Sequence, residues 1–354
     1  GIAILLVLGR HILFIPDELP LFSKHLLLAW REVGWIGVDL FFVLSGFLVS
    51  GILFAEYQER GTVSITRFLI RRALRIYPPF YLLLIFSIPT ALYFEIPRPL
   101  SIRALIGEIF FLQNYIGPLW DQTWSLAVEE HFYLLLASII FVLLRSHSKR
   151  KNPFSFIQQM IGVVACMLLL LRVLMSYSCP VGDSTSTFGY SHLRIDSLFM
   201  GVYLAYLFHF QREALTIFVT RFRFLLLPFG LSTVLVPLLF PLTESRFSYS
   251  FGFTWLYLGF AAVLLWCIYS QMIIRNRLVK YLTPLARIGR NSYSIYLWHM
   301  MVYALTALIW SPNAGLYTFY FQTTAYMMGS ILVGSIMANI VEVPTLRFRE
   351  RYFR

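Results

Sequence analysis

Ten apolar runs of roughly bilayer-crossing length divide this sequence, and they leave little room for a water-soluble fold. A spanning helix needs about 20 mainly apolar residues. Runs of that kind lie at 1–15, 34–54, 79–95, 124–144, 158–176, 192–210, 222–241, 252–270, 292–310 and 317–341, the first of them short. Composition agrees: 58% of the residues are hydrophobic and only 13% charged, where a soluble domain carries roughly 25% charged residues. The pattern predicts an all-α, polytopic transmembrane bundle of about ten spanning helices, a single domain over 1–354. The stretch 104–116 is apolar but too short to span, and is expected as a re-entrant or surface helix. The chain opens at Gly1, without methionine and already inside an apolar run, so the native start is expected upstream.

The net charge of +12 lies mostly in short loops between the runs, which fits membrane orientation and not nucleic-acid binding. Loops 55–78, 145–155, 211–223 and 271–290 with the tail 342–354 hold 21 Lys and Arg, while loops 16–33, 96–123, 177–191, 242–251 and 311–316 hold 5. The positive-inside rule then places both termini in the cytoplasm. Cys166, Cys179 and Cys267 show no metal-ligand spacing, and neither a metal nor a disulfide framework is expected.

Ionisable groups inside spans are costly and point to function. His11, near the end of the first run, and Asp39, near the start of the second, both fall roughly 6–8 Å below the outer surface at 1.5 Å of rise per residue. Glu129 and Glu130 enter the fourth run from the same side, and Arg194 and Asp196 open the sixth. Their shared depth predicts one polar layer inside the bundle. Blander readings stand beside it. His11 alone reads as an interface residue that snorkels to water, Asp39 as a partner of Arg10 or Arg194, and Arg194 with Asp196 as a structural pair. Neighbours on a helix diverge by about 100°, so only one of Glu129 and Glu130 points straight inward. His299 reads as a packed, hydrogen-bonded histidine in a different layer.

On the cytoplasmic side, Arg71, Arg72, Arg75 and Tyr77 precede the third run. Arg72 and Arg75 share a helix face, and paired guanidiniums suit phosphate. Topology signalling or lipid headgroup contact is the plain alternative. Arg287 and Arg290 repeat the spacing before the ninth run.

These residues resemble the acyltransferase-3 family of integral membrane acyltransferases, which O-acetylate bacterial surface polysaccharides. The matching stretches run from Gly1 to His11, from Gly37-Val-Asp39 through Ser45-Gly46-Phe47, from Arg72 to Pro78, from Trp124-Ser125 through Glu129-Glu130 to Tyr133, from Leu193 to Leu198, and from Tyr293 to His299. They occur in family order over nearly the whole chain. The family's arginine that precedes the histidine in Arg-x10-His falls just before Gly1, and His131 stands where many relatives carry glutamine. Some relatives carry a fused extracytoplasmic esterase-like domain; this sequence resembles the stand-alone form.

The resemblance implies acyl-CoA, most simply acetyl-CoA, as donor from the cytoplasm, with its phosphates at Arg71, Arg72, Arg75 and Tyr77. It implies a carbohydrate or lipid-linked glycan as acceptor and the bacterial cytoplasmic (inner) membrane as location. His11 is then the expected general base, with Asp39 orienting it, as in a serine-protease triad. Glu129, Glu130, Trp124, Ser125, Arg194 and Asp196 are expected to shape the acceptor site. A covalent intermediate on Ser45 is the lesser route, since no base is evident beside it. The rival class is a transporter or flippase, opposed by the absence of an inverted repeat.

Overall fold

The computed structural model describes all residues except 13, 147–151, 179–187, 243, 271–276, 310–314 and 354, and the backbone alone at 277–281. Cys179 therefore lies outside the described residues; Cys166 and Cys267 are free thiols.

The described residues are helical and include no strand. In chain order the helices are α1 (Ile2–Arg10), α2 (Leu21–Val33), α3 (Gly37–Arg60), α4 (Ile65–Phe94), α5 (Ile102–Ile109), α6 (Gln113–Ile116), α7 (Trp124–Ser146), α8 (Ile157–Ser178), α9 (Ser191–Phe210), α10 (Arg212–Leu231), α11 (Leu235–Leu239), α12 (Phe253–Ser270), α13 (Arg277–Arg290), α14 (Ser292–Ile309), α15 (Gly315–Met337) and α16 (Val343–Tyr352). π-Helical turns at Ser248–Gly252 and Ala338–Glu342 lead into α12 and α16.

Among the described residues, eight segments are long and apolar enough to cross a membrane: Leu21–Arg60, Ile65–Phe94, Asp121–Ser146, Ile157–Ser178, Arg212–Leu239, Ser248–Ser270, Ser292–Ile309 and Gly315–Tyr352. Two of the ten expected runs are thus absent from that set. The run at 1–15 is helical for only 9 residues, about 14 Å of rise against a hydrocarbon core of about 30 Å. The run at 192–210 does form a helix, but His192, Arg194 and Asp196 lower its hydropathy, and most of α9 is buried by protein. Enclosure of that kind is what permits charges in such a helix. The short stretch 104–116 forms α5 and α6.

The chain falls into two compact units: 1–37 with 70–127 and 280–354, and 38–69 with 128–279. In the first, α1 packs on α2 and on the 3₁₀ turn Gly34–Ile36. Gly34 lies against the Leu6 carbonyl and the Arg10 backbone, where any Cβ would overlap both. The Trp30 indole N–H donates to Leu5 O at 3.1 Å. Behind α1, α14 and α15 pack against each other, and the Tyr326 hydroxyl donates to Leu8 O at 3.3 Å. The end of α1 is therefore held from both sides.

In the second unit α3 and α9 touch backbone to backbone. Gly46 abuts the Leu198 carbonyl and Gly201 abuts the Val43 carbonyl, the small-residue crossing that lets membrane helices approach closely. The helices α8 and α12 pack on α9, and α10 packs on α12.

Candidate active site

His11 caps the C-terminus of α1 and its ring faces His299 of α14, with centroids 5.2 Å apart. Tyr303, one turn further along α14, approaches His11 edge-on at 6.3 Å and meets Tyr326 of α15 at 5.9 Å. His299 is fully buried. Its Nδ1 lies 2.5 Å from the Tyr296 carbonyl oxygen, while its Nε2 is buried without a hydrogen-bond partner.

One turn back, the Tyr296 hydroxyl donates to Gln122 O at 2.8 Å and meets Ser125 Oγ at 2.7 Å. Trp124 and Ser125 open α7, and the short helices before it fix that opening. Asn114 Nδ2 donates to Trp124 O at 3.0 Å and Gln113 Nε2 to Thr123 O at 2.9 Å. Glu108 of α5 is fully buried. One of its oxygens, Oε1, accepts from the Leu119 and Trp120 amides at 2.8 and 3.2 Å and from the Thr123 hydroxyl at 2.8 Å. Oε2 is buried without a partner. Burial pushes this carboxyl up to about 7, against the three hydrogen bonds that favour its ionised form.

At the N-terminal part of α4, Arg72 is buried and Arg71, Arg75 and Tyr77 are half-buried. Tyr77 stacks on Phe111, with centroids 5.5 Å apart. Arg349 of α16 lies close enough to Arg71 and Arg75 for their charges to interact. The Nε atoms of Arg71 and Arg349 are buried without hydrogen-bond partners. Glu342, in the π-turn before α16, offsets part of that charge at Arg75 and accepts from Ser294 Oγ at 2.7 Å.

The second unit holds a different set. Arg194 Nη2 donates to both oxygens of Asp39 at 2.8 Å, and Ser197 Oγ adds a longer bond at 3.3 Å. Arg172 of α8 pairs with Asp196 at 2.7 Å, and its guanidinium also donates to Leu193 O and Thr254 Oγ1 at 2.8 and 2.9 Å. The Arg194 guanidinium carbon sits 3.7 Å from the centroid of Phe253, a cation–π contact that offsets part of its desolvation. Two arginines and two aspartates thus neutralise one another out of water. In the same unit, Glu129 accepts from the Tyr133 hydroxyl at 2.8 Å, and the same hydroxyl meets Ser45 Oγ at 2.9 Å. Glu130 is buried and Glu129 half-buried. His131 Nδ1 lies 2.7 Å from Ser191 Oγ. Among the described residues, no group of three or more His, Cys, Asp or Glu side chains could hold a metal.

Residues 1–339 match the acyltransferase domain family. The chain belongs to this family. It is 26% identical to the peptidoglycan O-acetyltransferase OatA of Listeria monocytogenes, over 91% of this chain and 53% of that protein. It is 28% identical to the O-acetyltransferase OatA of Staphylococcus aureus, over 78% of this chain and 47% of that protein. The chain spans about half the length of these curated relatives. No solved structure matches it.

Within this acyltransferase domain the expected residues divide between the units. The first carries His11, Arg71, Arg72, Arg75, Tyr77, Trp124 and Ser125; the second carries Asp39, Ser45, Glu129, Glu130, Arg194 and Asp196. Asp39 takes the partner weighed as its structural alternative, Arg194, because the glycine crossing of α3 and α9 brings the two together. Both carboxylate oxygens of Asp39 accept from Arg194, and Ser197 adds a third bond within the same unit. Arg194 and Asp196, read as possible partners of each other, instead take Asp39 and Arg172. Sequence reasoning passed over Arg172 and Arg349 and set His299 aside. An arginine inside the apolar run 158–176 was a visible signal for Arg172. Nothing in the sequence placed Arg349 beside Arg71 and Arg75.

Proposed function

We propose that this chain transfers an acyl group, most simply acetyl, to a hydroxyl of a cell-envelope glycan or its lipid-linked precursor. Membership of the acyltransferase domain family supports acyl transfer, and the names of the relatives, which include a peptidoglycan O-acetyltransferase, support a glycan acceptor. The observation that carries the reading is the pairing of His11 with His299 at the held end of α1. A histidine there can take the proton of an acceptor hydroxyl while its oxygen attacks the acyl carbonyl, an assistance typically contributing about 10²–10⁴-fold.

The donor in this reading is acyl-CoA, reaching the protein from the cytoplasm. Arg71, Arg75 and Arg349 gather positive charge beside the carboxylates of Glu342 and Glu350, with Arg72 on the same helix as Arg75, and guanidiniums of that kind favour phosphate groups. Asp39 and Arg194 keep the second unit folded, and Trp124 and Ser125, in the unit of His11, shape the acceptor's surroundings. The membrane is the bacterial cytoplasmic membrane, with both termini inside.

Deleting the gene and weighing the surface glycans tests the proposal. Loss of one acetyl increment per modified sugar is expected, with recovery on complementation by the wild-type chain and none by His11→Ala. Unchanged glycan masses would reject it and favour a transporter.

A further inference from the structure

We infer that His299 is the positioning residue for His11, its Nε2 lone pair accepting the N–H of His11 and so fixing the tautomer in which His11 takes a proton. The inference rests on the proposed role of His11 as base. Its starting point is a carbonyl. The Tyr296 oxygen, 2.5 Å from His299 Nδ1, can only accept, so Nδ1 carries the hydrogen. In the neutral ring Nε2 is then an acceptor. That atom is buried and has no partner, on a side chain with no exposed surface. Such a group is costly to leave unsatisfied.

Two rings lie near it: Tyr296 at 5.4 Å, whose hydroxyl already donates to Gln122 O, and His11 at 5.2 Å between centroids. Edge-to-edge imidazoles joined by one hydrogen bond have about this separation, and catalytic hydrogen bonds that are loose in a free enzyme tighten when substrate binds. Asp39 meets Arg194 through both oxygens within its own unit. The orienting group for His11 is a neutral imidazole whose own tautomer is fixed by a backbone carbonyl. This arrangement places no unpaired charge beside the base before reaction.

The step balances for a thioester donor. The acceptor hydroxyl gives its proton to the bare nitrogen of His11. The oxygen's electron pair forms the new C–O bond, the C–S bond breaks, and the departing thiolate takes the proton back from His11. His299 neither gains nor loses a proton.

The test compares His11→Ala, His299→Phe and His299→Gln in purified, lipid-reconstituted protein. His299→Phe keeps the ring volume and removes the acceptor. His299→Gln offers an amide oxygen in its place. His299→Phe is expected to lower kcat on the order of 10²–10⁴-fold, with KM for the donor and the thermal midpoint unchanged, and His299→Gln to recover at least tenfold of it. Equal activity of His299→Phe and wild type, or equal loss in both variants, would overturn the inference. Nitrogen-15 NMR of histidine-labelled protein gives a readout independent of turnover: a hydrogen on His299 Nδ1 and a lone pair on Nε2 are expected, and the reverse would overturn it. The two readings fail separately. Full activity in His11→Ala removes the base itself, whereas an inactive His11→Ala beside a fully active His299→Phe removes the positioning role alone.

Discussion

Arg194 reaches both carboxylate oxygens of Asp39 from a single nitrogen, at 2.8 Å to each, with neither side chain exposed to solvent. An ion pair this buried is weak evidence for net stability, because desolvation opposes the attraction. Removing one partner is another matter, since the other charge is left uncompensated. Asp39→Ala and Arg194→Ala should therefore each destabilise the protein by about 3–5 kcal/mol. Replacing both, as Asp39→Leu with Arg194→Met, should recover most of that loss. Thermal unfolding in lipid nanodiscs measures all three. A normal midpoint for Asp39→Ala with lost transfer would move Asp39 from the scaffold into the chemistry.

Glu108 should make stability depend on pH. Its carboxyl has an ordinary value of 4.5 and is raised to about 7 by burial in the fold. Between those values the folded protein holds a proton that the unfolded chain has lost, so stability falls as pH rises through that window and is level outside it. The full change is on the order of 3 kcal/mol. Glu108→Gln keeps an oxygen for the Thr123 hydroxyl and the Leu119 and Trp120 amides and removes the titration. Melting wild type and variant between about pH 5 and pH 8 should show a slope for the first that is absent from the second. Parallel curves would mean that Glu108 stays ionised in the fold.

The arginine group makes a prediction about the donor. Each charge-assisted phosphate contact contributes about 1.5–3 kcal/mol. Arg72→Ala, Arg75→Ala and Arg349→Ala should therefore each weaken CoA binding roughly 10- to 150-fold. Loss should be smaller for a CoA analogue that lacks one phosphate the mutated residue touches. Calorimetry on the purified protein measures both. Unchanged CoA affinity in Arg349→Ala would leave α16 with a topological role only.

Orientation is tested from the loop charges. The Lys and Arg excess of 21 over 5 predicts that the end of α7 faces the cytoplasm. A cysteine at Ser146, in a variant without native cysteines, should resist impermeant thiol reagents in intact cells and react once the membrane is opened. Labelling from outside would invert the topology and put the arginine group on the wrong face for a cytoplasmic donor.

Hydropathy is a local property, and it was legible without coordinates. The apolar runs determined that the chain is helical and membrane-spanning, and the ordered motifs around His11, Asp39, Arg72, Trp124 and His299 determined the family. Two runs expected to span, 1–15 and 192–210, fall outside the spanning set, the first for its length and the second for its polar residues. What no local reading could decide was the choice of partner among buried charges. That choice depends on how each helix is rotated about its axis and how closely its neighbour can approach. Gly46 and Gly201 let α3 and α9 meet at their backbones, and the contact handed Asp39 to Arg194. Packing of α14 behind α1 set His299 against His11. Both outcomes join residues far apart in the chain, through side-chain directions that a hydropathy pattern does not encode.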